Sequence, residues 1–384
     1  MKKKFDKPLF ILIASLIFFG IVMIYNSTIV YSQETLGNAY RLALQQVVWV
    51  AIGLVGFFAF YKIDQATLKR ISFPVFLVSL GFLGFLALVN LFSSCANNPV
   101  IFSPCLNGAH RWFYLNPPPL PAIPLVGILG FQPSEFAKLA LVLYLALILE
   151  KNISKNGTPF SVFIVTVGLV SGLILLQPNM STAALVFLIG AAMYFVSGAD
   201  LKSFFISIPV LAVAALGFML SSSYRRARLM TFLGGSGSGE ELSLGYHIRQ
   251  IQIALGSGGI FGLGFGQSRQ KFQYLPEVAA DSIFAIIGEE FGFIGTTAFI
   301  ILFTALVYKG LSIARNTKDI YTRLLAVGIT TWIAGQFFVN IAAMTRLIPL
   351  TGVPLPLVSY GGSSLVFSLI GLGILANISA NNQV

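Results

Sequence analysis

Charge is scarce in this chain. Only 10% of its 384 residues are Asp, Glu, Lys or Arg, and just 13 are acidic, whereas a soluble domain carries about 25% charged residues. A surface that faces water all round is thereby excluded. Histidine and cysteine number two each, too few and wrongly spaced for a structural zinc site. The one dense glycine run, Gly256 to Gly266, has no preceding strand inside a βαβ unit, so it is not a dinucleotide fingerprint. What remains is apolar: 56% hydrophobic residues, among them 35 Phe, and a mean hydropathy of +0.86. This is the composition of an all-α, polytopic integral membrane protein.

Apolar runs of about 17–25 residues, enough to cross roughly 30 Å of hydrocarbon as helix, begin near Pro8, Leu42, Ile71, Ser134 and Phe160, and again near Thr182, Phe204, Asp281, Tyr321 and Tyr360. About ten transmembrane helices are therefore expected. The first follows a lysine cluster but has no small-residue cleavage site after it, and reads as a retained span. The net charge of +11 would suit nucleic acid in a soluble chain; here the basic residues sort by side instead. With the N-terminus inside, inner segments carry Lys2, Lys3, Lys4, Lys7, Lys62, Lys69, Arg70, Lys151, Lys155, Lys202, Lys309, Arg315, Lys318 and Arg323, while the short outer loops carry only Arg41, Arg111 and Arg346. The asymmetry places both termini in the cytoplasm and argues against a nucleic-acid partner. It leaves a large extracytoplasmic loop, residues 221–280, between spans seven and eight.

The chain's polar chemistry concentrates in and beside the outer segments. Residues 93–132 hold both cysteines, Cys95 and Cys105, then Gly108-Ala109-His110-Arg111-Trp112 and the run Pro117-Pro118-Pro119. Two cysteines in one outer loop suit a local disulfide, with two unpaired thiols as the alternative; the prolines suit a stiff lid or a plain spacer. Span four opens with Gln132-Pro133-Ser134-Glu135-Phe136-Ala137-Lys138, with Ser134 as the expected cap. Glu135 and Lys138 share a helix face, either as a structural ion pair or as a lysine presented to phosphate and oriented by the glutamate. Gln177-Pro178-Asn179-Met180 reads as a tight turn. In the large loop, Tyr224-Arg225-Arg226-Ala227-Arg228 reads as an anchor to anionic head groups, and Tyr246 to Leu255 as a short interfacial helix. The glycine run fits a re-entrant segment whose backbone packs closely or binds a ligand.

Lys271 to Gly295 is the most loaded stretch. Asp281 stands where a polar loop enters an apolar run, and Glu289 and Glu290 lie inside that run, where an ionisable group costs roughly 2.5–3.5 kcal/mol on insertion scales. Asp281 either caps the helix beside Ser282 or has a chemical use. After Asn340, the segment Pro349 to Ser364 holds prolines and glycines at a density no intact helix tolerates, so neighbouring protein must support it.

Several runs together resemble the SEDS proteins (shape, elongation, division and sporulation), the FtsW division branch more than the RodA elongation branch. They are NGAHRW from Asn107, FQPSEFAK from Phe131, QPNM from Gln177, YRRARLMTFL from Tyr224, GSGGIFGLGFGQSRQKFQYLPE from Gly256, DSIFAIIGEEFGFIG from Asp281 and PLTGVPLPLVSYGGSS from Pro349. The resemblance spans nearly the whole chain and implies one transmembrane domain, residues 1–384. It implies a multi-pass peptidoglycan glycosyltransferase of the bacterial cytoplasmic (inner) membrane that polymerises lipid II, the undecaprenyl-diphosphate disaccharide pentapeptide. The implied partners are a class B penicillin-binding protein transpeptidase and other divisome or elongasome membrane proteins. The family's key aspartate falls on Asp281. This chain departs from the family pattern in reading Ala279-Ala280 where His-Thr is usual, and Asn179 where an aspartate is usual.

Glycosyl transfer of this kind needs a base for the attacking hydroxyl and cations for the departing diphosphate. Asp281 is the expected base. Glu135 and Lys138 are candidates for an adjoining polar site, Arg111, Arg249 and Lys271 for diphosphate contacts. A divalent cation, magnesium or manganese, held by phosphate oxygens and one carboxylate is a further expectation; no metal-binding residue is assigned. Broken helices and embedded charges also mark transporters, so a lipid II flippase is the alternative, and a scaffold that only recruits a transpeptidase a third.

Overall fold

The computed structural model describes residues 6–93, 100–106, 108–121, 123, 129–153, 160–198, 202, 205–206, 209, 217, 219–220, 223–234 and 240–382. About three quarters of them, 74%, are helical. Three long helices open the chain: α1 (Lys7–Leu36), α2 (Arg41–Lys62) and α3 (Gln65–Phe92). Asp6 caps the first through the Leu9 amide, and Gly37 ends it in the left-handed conformation that glycine adopts at low cost. Short strand pairs follow: β1 (Cys105–Leu106) with β2 (Ala109–His110), and β3 (Phe113–Tyr114) with β4 (Gly130–Phe131). Next come α4 (Pro133–Ile153), α5 (Phe160–Leu175) and α6 (Met180–Val196), then two helices of low hydropathy, α7 (Ser223–Phe232) and α8 (Glu240–Ser257). Three long helices close the chain: α9 (Ile283–Asn316), α10 (Ile320–Met344) and α11 (Gly362–Asn382).

Six of these helices, α1 to α3 and α9 to α11, are long and apolar enough to cross a membrane. The shorter α5 and α6 are apolar too. Helix α4 has the length but carries Glu135, Lys138, Glu150 and Lys151, which dilute its hydropathy. The expected starts agree with the helices to within about two residues, except at α3, which begins six residues before Ile71 because Asp64 already ends the preceding turn. The span expected from Phe204 lies largely outside the described residues.

Burial shows which helices stand inside. The apolar windows of α10 and α11 are 72% and 78% buried, against 28% for α3 and 22% for α9, so α10 and α11, with the densely buried α4, form the centre of a multi-pass bundle. The rest present Phe, Leu, Ile and Val outward, as lipid-facing helices do. At one end of the bundle Asp6 accepts from Ser379 and pairs with Lys309 at 3.1 Å, Asn377 donates to the carbonyls of Phe60, Tyr61 and Ile63, and Lys69 meets Glu150 at 2.6 Å. This end gathers basic residues expected inside. The first and last helices therefore have their outer termini at the same face of the bundle.

The glycine run does not form a helix of its own. Helix α9 breaks at Gly292 (φ 63°, ψ −162°), and the run lies along the break: Leu263 and Gly264 donate to the carbonyls of Glu289 and Glu290, while Phe293 and Ile294 donate to those of Gly259 and Ile260. A Cβ at Gly258, Gly262 or Gly292 would overlap the opposing backbone. The glycines let two backbones touch and satisfy the polar groups that the break exposes.

Candidate functional site

At the end opposite the Asp6 cluster a cavity of about 810 Å³ opens among the loops. Each wall has a local cause. The β strands and their connection bring Arg111, Trp112 and Tyr114 to one side. Asn90 clamps that loop by receiving from and donating to the His110 backbone at 2.9 and 2.7 Å, and Cys105 is disulfide-bonded. Cys95, the only other cysteine in the sequence, lies outside the described residues, as does Asn107. Arg111 reaches across to the Gln177–Pro178 turn, donating to both carbonyls at 3.1 and 2.8 Å. Pro118 and Pro119 are exposed and do not line the cavity; on this side the wall is made by Leu106, Arg111, Trp112 and Tyr114 before the proline run and by Gly130 and Gln132 after it.

The Arg225–Arg228 patch is where the structure departs furthest from the sequence expectation. Spaced i, i+3 on α7, Arg225 and Arg228 both line the cavity while Arg226 points out to the surface. Arg228 donates to the Leu350 carbonyl at 3.3 Å. Sequence reasoning took this run for a membrane anchor; the i, i+3 pair of arginines was the signal that two of them share a face.

Asp281 lines the same cavity. It does not cap α9: Ser282 is the N-cap residue, without a side-chain cap bond. The acid sits in a tight turn in which Ala280 and Ser282 donate to the Glu277 carbonyl at 3.0 and 3.3 Å, with Glu277 itself at φ 50°. Three bonds, two of them from the bridging Asn340, pin the turn to the proline-rich segment 349–361. Asn340 donates to both the Asp281 and Val353 carbonyls at 2.8 Å, and the Tyr360 amide donates to Ala279 at 2.8 Å. Burial first, and the neighbouring Glu277 carboxylate second, push the Asp281 carboxyl up to about 7, although Arg228 pulls the other way. His247 of α8, also on the cavity wall, is pushed down to about 4 by burial and by Arg228. A carboxylate poised near neutrality in a cleft with three arginines is arranged for proton transfer next to an anion.

The remaining expected site residues lie elsewhere. Glu135 and Lys138 form a buried pair at 2.7 Å behind the cavity wall; Lys138 donates to Gln336 at 2.9 Å, and Gln336 donates to the cavity residue Ser364 at 3.0 Å and to the Pro354 carbonyl. Helix α4 starts at Pro133, so Ser134 is inside it and caps nothing. Lys271 is buried and held by Asn26, by the Gly266 carbonyl at 2.6 Å and by Glu290 at 3.5 Å. Arg249 is exposed on α8. Neither residue lines the cavity, because the turns around them direct their side chains into a different network or into solvent. Glu289 and Glu290 fold the loop after the glycine run: Glu289 accepts from Ser268 and from the amides of Arg269 and Gln270, Glu290 from Asn26 and the Ser268 amide. Their burial is matched by these donors. Among the described residues no three His, Cys, Asp or Glu side chains are grouped to hold a metal ion.

A sequence profile of the cell cycle proteins FtsW, RodA and SpoVE matches residues 7–384. The chain belongs to this family. Among curated relatives of this FtsW/RodA/SpoVE member, the stage V sporulation protein E of Bacillus subtilis is 35% identical over 378 residues, covering 97% of this chain and 96% of that one. The "Probable peptidoglycan glycosyltransferase FtsW" of Trichlorobacter lovleyi is 33% identical over 380 residues, covering 98% and 93%. Sporulation and division members thus align at nearly equal identity. In three dimensions this family member superposes on a chain of a peptidoglycan synthase complex, studied for how it coordinates polymerization and crosslinking, with a TM-score of 0.76, 25% identity and 98% coverage of both chains. It shares its fold with the rod shape determining protein RodA of Thermus thermophilus, with a TM-score of 0.68, 24% identity and coverage of 99% and 98%.

Proposed function

We propose that this FtsW/RodA/SpoVE member is a peptidoglycan glycosyltransferase of the bacterial cytoplasmic membrane that polymerises lipid II on the outer face. The observation that carries the reading is the meeting of Asp281 with Arg111, Arg225 and Arg228 around one cavity of about 810 Å³. Asp281 takes the proton from a sugar hydroxyl of one lipid II. The freed oxygen bonds to the anomeric carbon of a second, the bond from that carbon to the diphosphate oxygen breaks, and the lipid diphosphate leaves as an anion beside the arginines. General-base assistance contributes about 10²–10⁴-fold; cationic donors aimed at the developing diphosphate charge act most strongly away from water. A magnesium or manganese ion would arrive with the diphosphate oxygens.

The relation to a chain of a synthase complex supports a transpeptidase partner, proposed to be a class B penicillin-binding protein, within the machinery of division or elongation. The deciding experiment mixes purified protein with lipid II in detergent. Glycan strands are expected from the wild type; intact substrate would leave the flippase or the scaffold in its place.

A further inference from the structure

Ala279 and Ala280, just before the acid, offer Asp281 no side-chain donor. One comes from the other side. Ser282 Oγ donates to Asp281 Oδ1 at 3.4 Å, a long bond, and His247 Nε2 lies 2.8 Å from the same Ser282 oxygen. Both residues are buried. A hydroxyl has a single proton to give. With that proton directed at the carboxylate, the oxygen receives from His247, which requires imidazole with its hydrogen on Nε2. Ser282 occupies the N-cap position of α9, yet its side chain makes no capping bond; the hydroxyl is turned from its usual local use toward the acid.

We infer that His247 and Ser282 form a hydrogen-bonded strut that orients the Asp281 carboxylate at the cavity wall and favours its ionised form. The inference deepens the reading of Asp281 as general base and rests on it; His247 and Ser282 are positioning residues. The strut acts among other charges. Glu277 in the same turn opposes ionisation and Arg228 of α7 favours it, with Arg225 and Arg111 on the same cavity. The imidazole is neutral near pH 7, since its pKa stands at about 4, so it works as a fixed donor and not as a second titrating group. Donors to the carboxylate lower its pKa.

The test reads the proton on Asp281 directly, without needing turnover. The full chain, purified in detergent, is treated across a pH series with a water-soluble carbodiimide, which reacts with protonated carboxyls, and modification of Asp281 is quantified by peptide mass spectrometry. Ser282→Ala is expected to move the midpoint up by about half a unit to one unit. His247→Leu should move it the same way by less, whereas His247→Gln, whose amide can donate to Ser282, should stay at the wild-type value. In polymerisation assays the acid limb of kcat should follow these shifts with KM unchanged. Wild-type midpoints in both Ser282→Ala and His247→Leu, in chains with wild-type Tm, would overturn the strut. Shifted midpoints in a chain that makes no glycan would keep the strut and remove the base.

Discussion

At the scale of single residues the structure separates acids by what surrounds them. Burial and Glu277 leave the Asp281 carboxyl half protonated near pH 7, at about 7. Asp281→Asn should cost about 10²-fold or more in polymerisation, because an amide cannot take the hydroxyl proton, while Tm does not fall, since the amide has no buried charge to form, and lipid II binding stays near wild type; glycan synthesis by the purified variant checks this. Asp281→Glu should rescue in part, since an ångström of displacement can itself cost about 10²-fold. Activity should rise with pH through about 7 as the carboxyl ionises. Stability runs the other way: the folded chain holds this proton more tightly than an unfolded one with its ordinary value of 3.8, so stability falls as pH climbs from about 4 to about 7 and levels off above. Arg225→Met and Arg228→Met should each raise KM for lipid II, by about 10-fold or more if a charge-assisted bond of about 1.5–3 kcal/mol is lost, which steady-state kinetics would show. In the sequence Asp281 stands out at the mouth of an apolar run, but its local chemistry suits a helix cap equally well, and only the family resemblance puts the key aspartate there. Arg225 and Arg228 could not be placed, because a basic run looks the same whether its helix faces head groups or a cavity. Glu289 and Glu290 carried the same cost as any embedded acid, and only their donors reveal that they hold a loop.

At the scale of elements, helix starts were readable because lipid demands an apolar run for every span, whereas α1, α3 and α9, at 30, 28 and 34 residues, run past the expected length. Pairings between elements were not. The density of glycine in the run 256–266 announced a close approach, but nothing in it named the break at Gly292 as the partner. Gly262→Ala should strain that contact by about 1–3 kcal/mol, seen as a lowered Tm in detergent and faster proteolysis of the loop. The charged pair in α4 gives a sharper contrast. Lys138→Met alone should strongly destabilise, by about 3–5 kcal/mol, since it leaves Glu135 buried and unpaired; Glu135→Leu with Lys138→Met should fold. Gln336 keeps its bond from Trp332 at 3.0 Å and its own donations to Pro354 and Ser364 in that double variant, so its polymerisation should fall less than in Asp281→Asn. Thermal melts and the lipid II assay together decide whether the pair supports the wall or serves the chemistry.

At the scale of the whole molecule, one end of the bundle carries the cavity and the other the Asp6 cluster, and the placement of basic residues in the sequence foretold which should face the cytoplasm. Cysteines introduced at Asn38 and Asp319 test it with an impermeant maleimide in intact cells: Asn38→Cys should label from outside, Asp319→Cys only after permeabilisation. The tie between Asp6 and Ser379 also orders events in time. Among the described residues, helix α2 packs against α11 more extensively than any other two helices pack, with Gly53, Gly56 and Gly373 fitted to Leu369, Ile370 and Phe57. Helix α2 therefore waits for α11, which follows it by about 300 residues. Until residue 379 is made, Asp6 lacks its serine, and the α2 face must be covered by lipid or by the insertion machinery. A chain stalled before residue 362 would hold every cavity arginine and Asp281, yet have no closed bundle to keep them facing one another.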